Sequence, residues 1–91
     1  MSDAPAGSLT ERYCEALGAH FAAPSEETLA AAYELGREQL SAGSSLIGLA
    51  AAHHEALRRL GAAAPGDDRL VSSAREFLAE ALGVFEMASR G

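Results

Sequence analysis

Four blocks of apolar residues at helical spacing run along the chain, separated by short stretches rich in Gly, Pro and Ser. In the first, Leu9, Tyr13, Ala16, Leu17 and His20 share one face, with Phe21 at its edge. Ser8 and Glu11 precede them with capping-box spacing. Pro24 closes the block, because a residue before proline is pushed out of the helical region. In the second block Leu29, Ala32, Tyr33, Gly36 and Leu40 follow the same period. Ser25 is placed to cap it, and Glu26 and Glu27 sit in the first turn, where carboxylates suit the helix dipole. Gly36 costs about 1 kcal/mol relative to alanine in mid-helix. Its place on the apolar face predicts close backbone contact with a neighbouring helix, and Gly43 supplies the stop. The third block carries Leu46, Leu49, Ala50, His53, Leu57 and Leu60 behind a Ser44–Ser45 cap, with Gly61 as its expected end.

The fourth block, capped by Asp67 or Asp68, differs from the others. Val71, Ala74, Leu78, Ala81, Phe85 and Ala88 recur at alternating spacings of three and four, the register of a helix-packing seam. A second row, Leu70, Phe77 and Val84, repeats every seven residues beside it. One row suffices to hold a helix on its own bundle; two predict contact with a further partner. The pattern thus predicts an all-α, up-and-down four-helix bundle, with short connections setting antiparallel neighbours. Residues 1–7 are expected to be a disordered terminal segment and residues 8–91 a single domain. The last helix reaches Gly91 with no proline or polar tail after it, which suggests that the natural chain continues into another domain.

Composition narrows the function. At 91 residues the core is small, and much of the 48% apolar content is alanine, with two tyrosines and three phenylalanines. Helices with such faces must approach closely. The net charge is −6, lysine is absent and the seven arginines are scattered, so phosphate-rich partners (nucleic acid, anionic membrane) are not expected. No apolar run approaches the roughly 18 residues of a membrane span. The single Cys14 and the absence of a basic, then apolar, leader point to the reducing cytoplasm.

Candidate chemistry is sparse. His53 and His54 are adjacent, about 100° apart on a helix, and cannot chelate one metal together. His53 reads as a core polar residue hydrogen-bonded to a tyrosine hydroxyl, a carboxylate or a carbonyl, with Tyr33 as a second core polar group. Cys14 has no basic cluster to activate it and reads as a small hydrophobe. Glu34 and Glu38 flank Arg37, and Glu76 and Glu80 flank Arg75, as solvated surface pairs. No catalytic residue, cofactor or metal is expected, and no small-molecule ligand. The alternative is a small ligand- or metal-sensing bundle built on His20, His53 and Tyr33. On the final helix Ala79 and Gly83 lie together, four residues apart, as a low patch bordered by Glu76, Glu80 and Leu82. Ala30 is a comparable small residue on the second helix.

Three segments in order, Ala31–Arg37, Leu49–Leu57 and Phe77–Gly91, resemble the RsbU amino-terminal domain family over about residues 9–91. These small helical modules precede the catalytic domains of bacterial serine phosphatases of the general stress response, and some precede PAS-containing sensor kinases. The resemblance implies a four-helix homodimer that performs no chemistry. It implies docking of a GHKL-type switch kinase from an anti-sigma pathway, or relay of a signal to a fused output domain. Family positions that contact the kinase correspond to Ala30, Ala79 and Gly83, which are smaller here. Val71, Phe77, Leu78, Val84 and Phe85 are assigned to a seam shared between the bundle core and the dimer.

Overall fold

The four helices are α1 (Leu9–Ala22), α2 (Glu26–Ser41), α3 (Leu46–Ala63) and α4 (Asp68–Arg90), as described by a computed structural model. Residues 8–43 and 45–90 are described, without the Arg90 side chain, and they contain no strand. The expectations for residues 1–7 and for Ser44 as a cap lie outside the described residues, as does Gly91.

Each helix begins where local chemistry favours it. The Ser8 hydroxyl accepts from the Glu11 amide while the Glu11 carboxylate accepts from the Ser8 amide, completing the capping box. Ser25 caps α2, with Thr28 as the reciprocating residue. Ser45 caps α3, and the Asp67 carboxylate accepts from the Arg69 amide at the start of α4. Each such cap contributes about 1 kcal/mol. Gly43 ends α2 with φ +73°, as expected. Gly61 does not end α3. The helix runs on to Ala63, and the positive φ that makes the turn falls on Gly66 instead.

The helix pairing departs from simple up-and-down order. The closest pairs are α2 with α4 and α1 with α3, while α2 and α3 hardly meet although they are consecutive. Tyr13 meets His53 and Gly18 lies against Leu60, so α1 and α3 run in the same sense. Small residues explain the pairing. A Cβ on Gly36 would come 2.2 Å from the Ala81 carbonyl oxygen, so the α2 and α4 backbones are in direct contact. With Ala32, Ala52, Ala56, Ala74 and Ala81 all buried, helices that would sit diagonally in a square bundle close onto each other. The molecule is flat, 39 × 37 × 23 Å, about two helix diameters thick.

The core joins Tyr13 and Leu17 of α1, Ala32 and Leu35 of α2, Leu49, Ala52 and Ala56 of α3, and Ala74, Phe77 and Ala81 of α4. The Tyr13 and Phe77 rings meet edge to face, with centroids 5.0 Å apart. Cys14 is half-buried and packs on this cluster. On α3 the buried line is Leu49, Ala52 and Ala56. Leu46 and Ala50, expected on the inner side, are exposed.

Candidate docking surface

Phe77 lies at the centre of the buried side of α4. Leu70, Ala74, Phe77, Ala81 and Val84 are all buried, at spacings of four and three. The seam is therefore rotated by about one residue from the row expected, because Phe77 is the residue that fills the space beside Tyr13. Phe77 and Val84 belong wholly to the protomer core. Leu78 and Phe85 are half-buried on the flank, and Phe85 packs against the core. Val71, expected in the shared seam, is outside the core at 70% exposure. Beside Leu78, Leu82 and Phe85 it forms an apolar stripe that three companion helices leave partly open.

Two of the small residues singled out, Ala30 and Ala79, border grooves. Ala30 lies in a groove of about 390 Å³ between these helices, floored by Leu29 and Tyr33 and rimmed by Glu26, Glu34 and Glu80. Ala79 lines a second, of similar size, with Ser72, Arg75 and Glu76. The space where a Gly83 side chain would stand is empty. The first groove is acidic in effect. Arg37 bonds Glu34 and holds its carboxyl below the usual range, while Glu26 and Glu80 are without an ion-pair partner among the described residues.

Several polar residues have partners other than those expected. Tyr33 is no core residue; it is 37% exposed in the α2–α4 groove, because the Gly36 contact turns the centre of α2 toward Ala32 and Leu35. Glu38 reaches across to Arg12 of α1 instead of bonding Arg37. Glu76, expected to be solvated beside Arg75, bonds the buried ring of His20 at 3.0 Å. On α3, Glu55 receives both Arg58 and Arg59, whose hydrogen bonds bring its carboxyl down to about 2. Asp67 is lowered in the same way by Arg69, which also stacks over the Phe21 ring.

His53 meets its expected role in part. It is half-buried, and its Nδ1 accepts from the Tyr13 hydroxyl at 2.8 Å. Burial, and then the neighbouring His54, lower its pKa, while burial raises that of Tyr13. Both effects keep the pair neutral, with the proton on the tyrosine. His20 bonds Thr28 and Glu76 instead. His20, His53 and Tyr33 therefore do not line one pocket, and the two histidines stand on separate hydrogen-bonding systems. Among the described residues no three His, Cys, Asp or Glu side chains gather as a metal-binding group. Nor is any helix there long and apolar enough to cross a membrane.

The His20–Thr28–Glu76 set and the meeting of Glu26 and Glu80 across one groove escaped the sequence, because both join helices remote in the chain; Glu80 alone was expected, as a border of the small-residue patch. Only the caps offered a signal, since Thr28 stands at the reciprocating position after Ser25. The family model for the N-terminal domain of phosphoserine phosphatase RsbU matches residues 11–88. No curated protein and no solved structure matches the chain.

Proposed function

The chain belongs to the RsbU N-terminal domain family, and from that premise we propose that it is a homodimeric docking module of bacterial stress signalling. The family places it with the regulatory N-terminal domain and not with the catalytic phosphatase part. In this reading the module binds a GHKL-type switch kinase, or relays a signal to a fused phosphatase or sensor-kinase domain, in the cytoplasm.

The observation that carries the reading is the division of α4 into a covered and a partly covered apolar row. Val71, Leu78 and Phe85 repeat every seven residues in the second, Val71 exposed and the other two half-buried. Burying one large apolar side chain across a subunit boundary contributes about 1.5–3 kcal/mol, so a few such residues support a dimer. The kinase takes the other side of the molecule, where Ala30, Ala79 and Gly83 leave room for a partner's larger side chains. Glu26 and Glu80 favour a basic rim on that partner.

Titration of a purified GHKL-type switch kinase onto the wild-type domain and onto Ala79→Arg tests the docking half by calorimetry. Ala79 is exposed, so the substitution leaves the fold intact. A tenfold or greater loss of affinity, about 1.4 kcal/mol, is expected. Equal binding by both proteins would remove this surface from consideration.

A further inference from the structure

His20 is 1% exposed, yet both ring nitrogens are engaged. Its Nε2 lies 3.0 Å from Glu76 Oε1 of α4, and its Nδ1 lies 2.7 Å from Thr28 Oγ1 of α2. The Thr28 hydroxyl is shared further. It lies 2.8 Å from the Ser25 carbonyl oxygen and 2.9 Å from the Ser25 amide nitrogen. A hydroxyl has one proton to donate and two lone pairs to accept with.

The Ser25 hydroxyl stands farther from Thr28 Oγ1, at 3.4 Å; over the four shorter contacts one proton assignment is consistent. The Ser25 carbonyl only accepts, so Thr28 gives it the hydroxyl proton. The Ser25 amide only donates, so it fills one lone pair of Oγ1. The second lone pair is then met at 2.7 Å by Nδ1, which must carry a proton. At the other end an ionised carboxylate only accepts, so Nε2 carries a proton as well. A neutral ring breaks the set. Thr28 would turn its proton to Nδ1, leaving its oxygen against the Ser25 carbonyl oxygen with no hydrogen between them.

We propose that His20 is a buried imidazolium that clamps the end of α1 to the N-cap of α2 and to α4, and that loss of its proton opens the cap. The surroundings favour the charge. His20 stands in the last turn of α1, where the helix dipole welcomes a cation. Glu76 supplies the counter-charge from α4, and Glu26 and Glu27 add negative charge in the first turn of α2. The nearby cation Arg69 is tied to Asp67, and the α3 arginines Arg58 and Arg59 to Glu55. Burial opposes the charge, and so does the positive N-terminal end of the α2 dipole, against which the ring stands. The contrast with His53, neutral on the far side of Tyr13, assigns opposite protonation states to two histidines of one core. Glu76 also lines the groove beside Ala79. If docking occurs there, a partner cation that takes Glu76 draws away the counter-ion of His20; that consequence rests on the docking reading, the clamp does not.

Nitrogen-15 spectra of the histidine rings in the free domain test the clamp without a partner. At neutral pH both His20 nitrogens are expected in the protonated range and His53 Nδ1 in the unprotonated range. On raising the pH, the Ser25, Thr28 and Leu29 amide signals should move with the same midpoint as His20. Thr28→Val should uncouple those amides, and Glu76→Gln should shift the midpoint to lower pH. An unprotonated His20 Nδ1 at neutral pH, or cap amides that ignore the His20 midpoint in the wild-type protein, would overturn the proposal.

Discussion

Two rows of apolar residues lie on α4 barely more than one position apart, and they have opposite fates. The row through Leu70, Ala74, Phe77, Ala81 and Val84 is sealed inside the protomer. The row through Val71, Leu78 and Phe85 is open at one end and only half covered along the rest. What separates them is size. Ala74 and Ala81 let other helices close over the first row, and Gly36 meets the Ala81 carbonyl directly. The second row has no such small residues of its own, and the helices drawn in by the first are used up there. Burial on this helix is therefore decided by what can approach, and hydrophobicity alone does not decide it.

Substitutions should separate the rows by stability first. Phe77→Ala removes the ring against which Tyr13 packs and is expected to cost about 3–5 kcal/mol, read by chemical denaturation. A loss below about 1 kcal/mol would mean that the inner row is not the core. Gly36→Ala comes next. Its Cβ would collide with α4 backbone, which cannot swing aside as a side chain does. Overpacking of this kind costs about 1–3 kcal/mol, a large effect for one methyl group. An unchanged melting curve would show that α2 and α4 are not in backbone contact.

Tyr13→Phe tests the inner row from the α1–α3 side. It strips His53 of its donor and is expected to cost about 1–3 kcal/mol. The pH dependence of His53 has a definite sign. Its folded-state pKa is depressed by burial, so the unfolded chain binds the proton first. The stability it contributes is present above about 6.5, the ordinary histidine value, and is lost as pH falls through the folded value. His53→Gln should flatten that acid-side slope. The smallest effect belongs to the Glu55 cluster at the surface of α3, where Arg58 and Arg59 are exposed. Its carboxyl is held near 2, so this support is present above the ordinary carboxylate range and fades as pH falls toward 2. Glu55→Gln should change acid unfolding only slightly.

Much of the fold was legible in the sequence, and the part that was not has a physical cause. Helix starts depend on neighbours in the chain, so Ser8 and Ser25 announce themselves, and the α4 cap was narrowed to Asp67 or Asp68. Gly36 also signalled its close contact, since glycine on an apolar helical face weakens the helix unless a neighbouring backbone needs the space. Pairing order was hidden, because α1–α3 and α2–α4 contacts depend on alanines that look alike at every position. Gly61 misled for a related reason: a glycine after Leu60 resembles a stop, while Gly66, three residues from the end of α3, makes the turn. Of the candidate site, the spacing put Ala79 and Gly83 together on one side of α4, and Ala79 and Ala30 are exposed. The bond from His20 to Glu76 was not legible, since α1 and α4 are brought together only by the fold.

The assignment of the outer row to a second copy turns on one substitution. Phe85 is a poor probe, since it also packs on the core. Val71 is a clean one: it is 70% exposed, and its replacement should change the folding stability of a protomer by no more than about 0.5 kcal/mol. The molar mass of the wild-type domain and of Val71→Asp, measured by light scattering across a range of concentrations, therefore bears most directly on the dimer. The expected result is a wild-type dimer and a folded, monomeric variant. A wild-type protein that remains a well-folded monomer at the highest concentration, or a variant that dimerises equally well, would contradict it.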